Sequence, residues 1–68
     1  MNQITLVGPN QKIIACTNDS NKFNKFVDWL KEYNPTETLN LDNYLIQSDN
    51  RIIMARIKAI KLGLTIFK

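Results

Sequence analysis

Four basic side chains lie close together in the C-terminal half of the chain, within segment 48–63. They are Arg51, Arg56, Lys58 and Lys61. Cationic groups along one helix face neutralise phosphates, and this attraction supplies much of the affinity of proteins for nucleic acids. The four residues are therefore candidate phosphate-binding groups of a DNA- or RNA-binding surface. The alternative interpretation is a solvated face that keeps an apolar helix soluble.

Segment 48–63 also holds more isoleucine and leucine than one face of a small core needs. Small domains often cover such an excess by forming a homodimer or by binding a groove on another protein. Aromatic and arginine side chains are enriched among the residues that dominate binding energy. The candidate partner-binding residues are Trp29, Tyr44, Ile52 and Arg56. The alternatives are that both apolar strips of the segment are internal and that Trp29 lies at the core edge.

The residue types needed for catalysis are scarce. The chain has no histidine, two glycines and one cysteine, Cys16. A nucleophilic cysteine needs a base, and phosphate-cradling loops need several glycines. Zinc sites need sets of cysteine and histidine, and the six Asp and Glu residues are scattered. We therefore expect no enzymatic activity, no metal site, no cofactor and no small-molecule substrate.

Length and composition indicate one small domain over residues 1–68, with 44% hydrophobic residues to build a core. The net charge of +3 is modest and does not require an acidic partner. The first residues lack a basic n-region, and no apolar run has the length of a membrane span. The lone thiol fits a reducing compartment. We expect a cytoplasmic protein, in the host cytoplasm if phage-encoded, with no membrane partner.

The first half of the chain predicts a hairpin followed by a helix. Residues 3–7 and 12–16 alternate as strands do, and Gly-Pro-Asn-Gln between them is a turn signal. Cap residues at 17–20 predict the start of a helix, which should stop at Asn34 because a proline follows. The apolar residues between recur at helical spacing. They are Phe23, Phe26, Val27, Leu30 and Tyr33.

Segment 48–63 is interpreted as a second helix, with Ser48 or Asp49 as the N-cap and Gly63 as the C-terminal glycine. Its main apolar arc consists of Ile53, Ile57, Ile60 and Leu64. A second strip with Ile52 and Ala59 flanks that arc, and Arg56 lies between the two. Because β-branched residues favour strands, the alternative is a hairpin over residues 44–57.

The predicted fold is α+β, with hairpin, helix, extended stretch over residues 36–43, second helix and a terminal strand near residues 64–67. Tyr44 and its neighbours either extend that stretch or begin a longer helix. The sheet is expected to be antiparallel, with the helices on one face; the alternative is ββαββ. The favoured function is a small non-enzymatic regulator or inhibitor, of the phage or mobile-element type, that binds a host protein through an apolar and basic surface. The alternative is a nucleic-acid-binding module.

Overall fold

A computed structural model describes residues 1–34 and 42–67 of the chain. Within these ranges the chain forms two helices and four strands. In order they are β1 (Asn2–Val7), β2 (Lys12–Thr17), α1 (Ser20–Tyr33), β3 (Tyr44–Leu45), α2 (Asp49–Leu62) and β4 (Thr65–Phe67). The predicted α+β fold is confirmed. Most of the expected extended stretch, residues 36–41, lies outside the described residues.

Helix α1 begins and ends where the sequence predicts. The carboxylate of Asp19 accepts hydrogen bonds from the backbone N–H groups of Asn21 (2.9 Å) and Lys22 (3.2 Å). These bonds satisfy two of the free N–H groups of the first turn. At the other end, the N–H of Asn34 donates to the carbonyl of Leu30 at 2.8 Å. The stripe of apolar residues on α1 is buried, except for its last member, which is half-buried.

The segment after β3 is helical, which decides between the two structures considered for it. The hydroxyl of Ser48 accepts a hydrogen bond from the N–H of Arg51 at 3.3 Å, as an N-cap does. Gly63 ends α2 in the left-handed conformation, with φ of 91°, which glycine adopts at little cost. The alternative hairpin over residues 44–57 is therefore wrong. Tyr44–Leu45 forms a strand and not the first turn of a longer helix.

The four strands form one sheet in the order β3-β1-β2-β4. Strand β2 pairs antiparallel with β1 and with β4, so the predicted terminal strand joins the hairpin as expected. Strand β3 pairs parallel with β1. The sheet is therefore mixed, and the expected antiparallel sheet is wrong. The reason is the path of the chain. Helix α1 follows β2, and the next strand, β3, lies beside β1 and runs in the same direction. Helix α2 then crosses the sheet to the opposite edge, where β4 pairs with β2.

Both helices cover the same face of the sheet. Ile4 pairs with Ala15 and Leu6 pairs with Ile13, and all four side chains are buried in one cluster with residues of α1 and α2. Successive strand residues point to opposite faces. The other face of the sheet therefore carries the intervening residues, among them Thr5, Val7, Ile14 and Cys16, and no described helix covers it.

Candidate functional site

The rotational setting of α2 decides which of its side chains a partner can reach. Hydrogen bonds connect the N-terminus of the helix to the β1–β2 turn. The carboxylate of Asp49 accepts hydrogen bonds from the backbone N–H of Asn10 at 3.1 Å and from its side-chain amide at 2.9 Å. In the same turn Gly8 leaves room for Ile52, because a Cβ at Gly8 would overlap the Cδ1 of Ile52. The turn therefore holds α2 with Ile52 facing inward.

Arg51 joins α2 to the C-terminal end of α1. Its guanidinium donates to the carbonyl of Tyr33 at 3.0 Å and to the side-chain oxygen of Asn34 at 3.3 Å. The same group lies 5.5 Å from the centroid of the Tyr33 ring, within the range of a cation–π contact. Arg51 was a candidate phosphate-binding residue. In the structure its guanidinium is held by intramolecular contacts.

Tyr44 belongs to the core and not to the surface. Its side chain is 1% exposed, and its hydroxyl donates to the carbonyls of Asn34 (2.5 Å) and Leu30 (3.2 Å). Desolvation by burial raises the pKa of the Tyr44 hydroxyl, and the interaction with the side chain of Asn34 partly offsets the increase. Tyr44 was a candidate partner-binding residue, but in this conformation it offers no surface to a partner.

The inward face of α2 is formed by small residues around one isoleucine. Ile52, Ala55 and Ala59 are fully buried, and Leu62 packs against the core from its edge. Alanine lets a helix backbone approach a sheet closely, so this face needs few large side chains. Ile52 was a candidate partner-binding residue, and this placement corrects the expectation, because its side chain is inaccessible.

The outward face of α2 carries the large apolar side chains. Ile53, Met54, Ile57 and Ile60 are between 40% and 58% exposed. Three of them belong to the arc that the sequence marks as the main apolar face. Of the residues in that arc, only Leu64, which follows the helix, is buried. We call the four exposed residues the α2 stripe.

Three cations lie around the α2 stripe. At about 100° per residue, Arg56 falls between the inward face and the stripe, Lys61 falls between Ile57 and Met54 at the other edge of the stripe, and Lys58 lies beyond Met54. Arg56 and Lys58 are half-buried and Lys61 is exposed. The described residues give none of these three side chains a hydrogen bond or an ion pair. The four cations predicted to act together are thus divided: one is held by α1 and three surround an apolar surface.

Trp29 is stacked against its own helix. The centroid of its ring lies 4.6 Å from the centroid of the Tyr33 ring and 6.2 Å from that of the Phe26 ring. The ring planes make an angle of 13° in each pair. The side chain is half-buried and packs against the core. Trp29 thus lies at the core edge, with part of its surface accessible.

Other exposed apolar side chains do not extend the α2 stripe. Leu45 and Phe67 are both more than half exposed, but the strand register places them on the face of the sheet opposite the helices. They also lie on opposite edge strands, with β1 and β2 between them. The α2 stripe is therefore the larger group of exposed apolar side chains on one helix or strand within the described residues.

Ile53, Met54, Ile57 and Ile60 were not among the candidate partner-binding residues, and the structure exposes all four. A signal was available in the alanines, since Ala55 and Ala59 mark the side of the helix that fits closely against another element. Among the described residues there is no group of three potential metal ligands and no pocket that encloses a small molecule.

None of the helices in the described part of the chain is long and apolar enough to cross a membrane. A scan against protein-family models, a search of curated proteins and a search of solved structures found no match to this chain.

Proposed function

We propose that this protein is a non-enzymatic binding module whose contact surface for another protein is the α2 stripe. The observation that carries the proposal is the exposure of four large apolar side chains on one helix face, in a chain whose helix turns its alanines inward. Contiguous apolar surface on a soluble domain commonly marks an interaction site.

The exposed apolar area of the α2 stripe favours a protein partner. Fully burying an isoleucine or methionine side chain contributes about 1.5–3 kcal/mol relative to leaving it exposed. The four residues of the stripe are roughly half exposed, so covering them supplies on the order of a few kcal/mol. Cations at the rim add selectivity and association rate more than affinity. A small interface of this kind suits a regulatory contact.

The nucleic-acid alternative has weaker support. Of the four candidate phosphate-binding residues, Arg51 is engaged by Tyr33 and Asn34. Of the three remaining cations, Lys58 and Lys61 are neighbours three residues apart on the helix, and Arg56 lies across the apolar stripe from them. Phosphate binding favours a larger set of basic groups that adjoin along one face. Three contacts also give only modest affinity at physiological salt.

A non-enzymatic module of the kind proposed acts by occupying a surface of its partner, which is how a regulator or inhibitor works. We include in the proposal the role of a phage or mobile-element protein that binds a host protein in the cytoplasm.

Photo-crosslinking tests the contact directly. A photoreactive benzoylphenylalanine is placed at Met54, within the stripe, and in a matched variant at Lys25, an exposed position of α1. We expect a protein adduct in lysate of the native cell from position 54 and none from position 25. Ile60→Glu should abolish that adduct, and Leu45→Glu, an equivalent change on the sheet face, should leave it intact.

The other outcomes are equally informative. Equal adducts from both positions, or none from position 54, would contradict the proposal. An adduct with nucleic acid would favour the alternative function, and an adduct with a second copy of this chain would identify the stripe as a homodimer interface.

A further inference from the structure

The α2 stripe has the spacing of a helix–helix seam. Ile53, Ile57 and Ile60 are separated by four and then three residues, which corresponds to positions d, a and d of a heptad. At 1.5 Å per residue this seam is about 10 Å long, or two helical turns. A narrow seam of this kind fits the apolar face of another helix.

Alongside the seam, the flanking positions 54, 56 and 61 are basic or neutral. In the same heptad frame Arg56 is a g residue, and Lys61 and Met54 are e residues. Asp49 is the preceding g residue, but its carboxylate is already bonded to Asn10. In helix pairs the e and g side chains determine which partner is accepted. The described residues leave both flanking cations without an ion pair.

From this arrangement we propose that the stripe binds an amphipathic helix of another protein, with apolar a and d residues and acidic e and g residues. The inference rests on the proposed function and adds the chemistry of the partner. The seam supplies apolar contact, and carboxylates on the partner helix pair with Arg56 and Lys61. Such pairs decide specificity because a wrong partner places like charges together.

A second copy of this chain does not satisfy the same requirement. In a parallel pair of α2 helices, g faces the e position five residues further along the other helix, so Arg56 of one copy would face Lys61 of the other. In an antiparallel pair, g faces g and e faces e. The register that packs Ile57 against Ile53 places Arg56 beside Arg56, and the register that packs Ile57 against Ile60 places Lys61 beside Met54. A second copy therefore offers no carboxylate to Arg56 or Lys61 in these pairings, and two of them bring like charges together.

The surface is also preorganised for a helix. The contacts of Asp49 with Asn10, of Arg51 with Asn34 and of Ile52 with Gly8 hold the rotational setting of α2 before any partner arrives. A surface already in its binding conformation avoids the entropic cost of ordering.

Three designed peptides test the proposed chemistry. Each is a three-heptad helix with leucine at a and d, and they differ only in carrying glutamate, glutamine or lysine at e and g. Binding of each labelled peptide to the full chain is measured by fluorescence anisotropy at low and moderate salt. We expect the glutamate peptide to bind about tenfold tighter than the glutamine peptide and the lysine peptide to bind weakest. The preference should shrink as salt increases.

Charge reversal gives a matched control. In the double variant Arg56→Glu and Lys61→Glu the order of the three peptides should invert, because the lysine peptide becomes the complementary one. Lys61→Glu alone, at an exposed position, should reduce the preference partway. Far-UV circular dichroism and thermal unfolding confirm that each variant keeps the fold, so that a change in preference reflects charge.

The inference is overturned by equal affinity for the three peptides, by no binding of the glutamate peptide at millimolar concentration, or by an order that charge reversal leaves unchanged. Concentration-dependent dimerisation that Ile57→Glu abolishes would also overturn it. The proposed function fails separately. If the photo-adduct at position 54 forms with a protein and persists in the double variant, then protein binding stands and the acidic helix is rejected.

Discussion

The Cδ1 of Ile52 lies in the space that a Cβ on Gly8 would need. This close approach brings the β1–β2 turn into direct contact with the first turns of α2. A second contact joins the same two elements: the side-chain amide of Asn10 donates a hydrogen bond to the carboxylate of Asp49 at 2.9 Å. A turn residue without a side chain therefore leaves the space that Ile52 occupies on the inward side of α2, while the next isoleucine, Ile53, faces solvent.

Replacing Gly8 with alanine should destabilise the fold by about 1–3 kcal/mol, because the added methyl group overpacks a fully buried site. Chemical denaturation measures the loss. Ile52→Val alone should cost about 0.5–1.5 kcal/mol for the lost methyl group. In the double variant the two costs should be less than additive, because valine lacks the Cδ1 that the new methyl group meets. Additive costs would show that the two residues are not in contact.

Replacing Arg51 with lysine should lower the free energy of unfolding by about 1 kcal/mol, since lysine cannot reproduce the paired hydrogen bonds and the ring contact of the guanidinium. The matched control is Lys58→Met, a half-buried cation of the same helix to which the described residues give no partner. We expect that control to stay within about 0.5 kcal/mol. If both changes cost the same, the link from Arg51 to Asn34 contributes nothing to stability.

Stability should fall in alkaline solution because of Tyr44. Its folded-state pKa is raised above the ordinary value near 10 by burial. The unfolded chain therefore loses this proton first as the pH rises, and the contribution of Tyr44 to stability, complete below the unfolded pKa, declines above it. Denaturation at a series of pH values from 8 to about 11 measures the slope.

Tyr44→Phe is the control for that slope. Phenylalanine keeps the packing but has no proton to lose, so the variant should be about 1 kcal/mol less stable near neutral pH for the lost hydrogen bond. Its alkaline slope should be shallower than that of the native chain. Identical slopes would assign the alkaline loss to other groups, such as the lysines.

Local signals in the sequence predicted the elements but not their orientation. Asp19, Ser48 and Gly63 act through bonds within a few residues, so their roles could be inferred from spacing alone. The inward face of α2 depends on Gly8, which is distant in sequence from Ile52. Hydrophobicity cannot distinguish two adjacent isoleucines. A helical-wheel projection therefore favours burial of the larger apolar arc, which contains Ile53 and not Ile52.

The same limit explains the errors in the sheet and at Tyr44. Whether β3 pairs parallel or antiparallel with β1 follows from the path of the connecting helix, and a strand of two residues carries little pattern of its own. The polar contacts of Asn34 with Tyr44 and Arg51 connect residues that are distant in sequence. No short sequence motif can therefore predict them.

Charged substitutions at the two adjacent isoleucines test the orientation of α2 most directly. Ile52→Glu should prevent folding, because it places a carboxylate without a partner in a site with 0% exposure. Ile53→Glu should leave the free energy of unfolding within about 1 kcal/mol of the native value, since its side chain already reaches solvent. Circular dichroism and thermal unfolding distinguish the two results. The reverse pattern would mean that the helix is turned by about 100°, which would bury the stripe and remove the proposed contact surface.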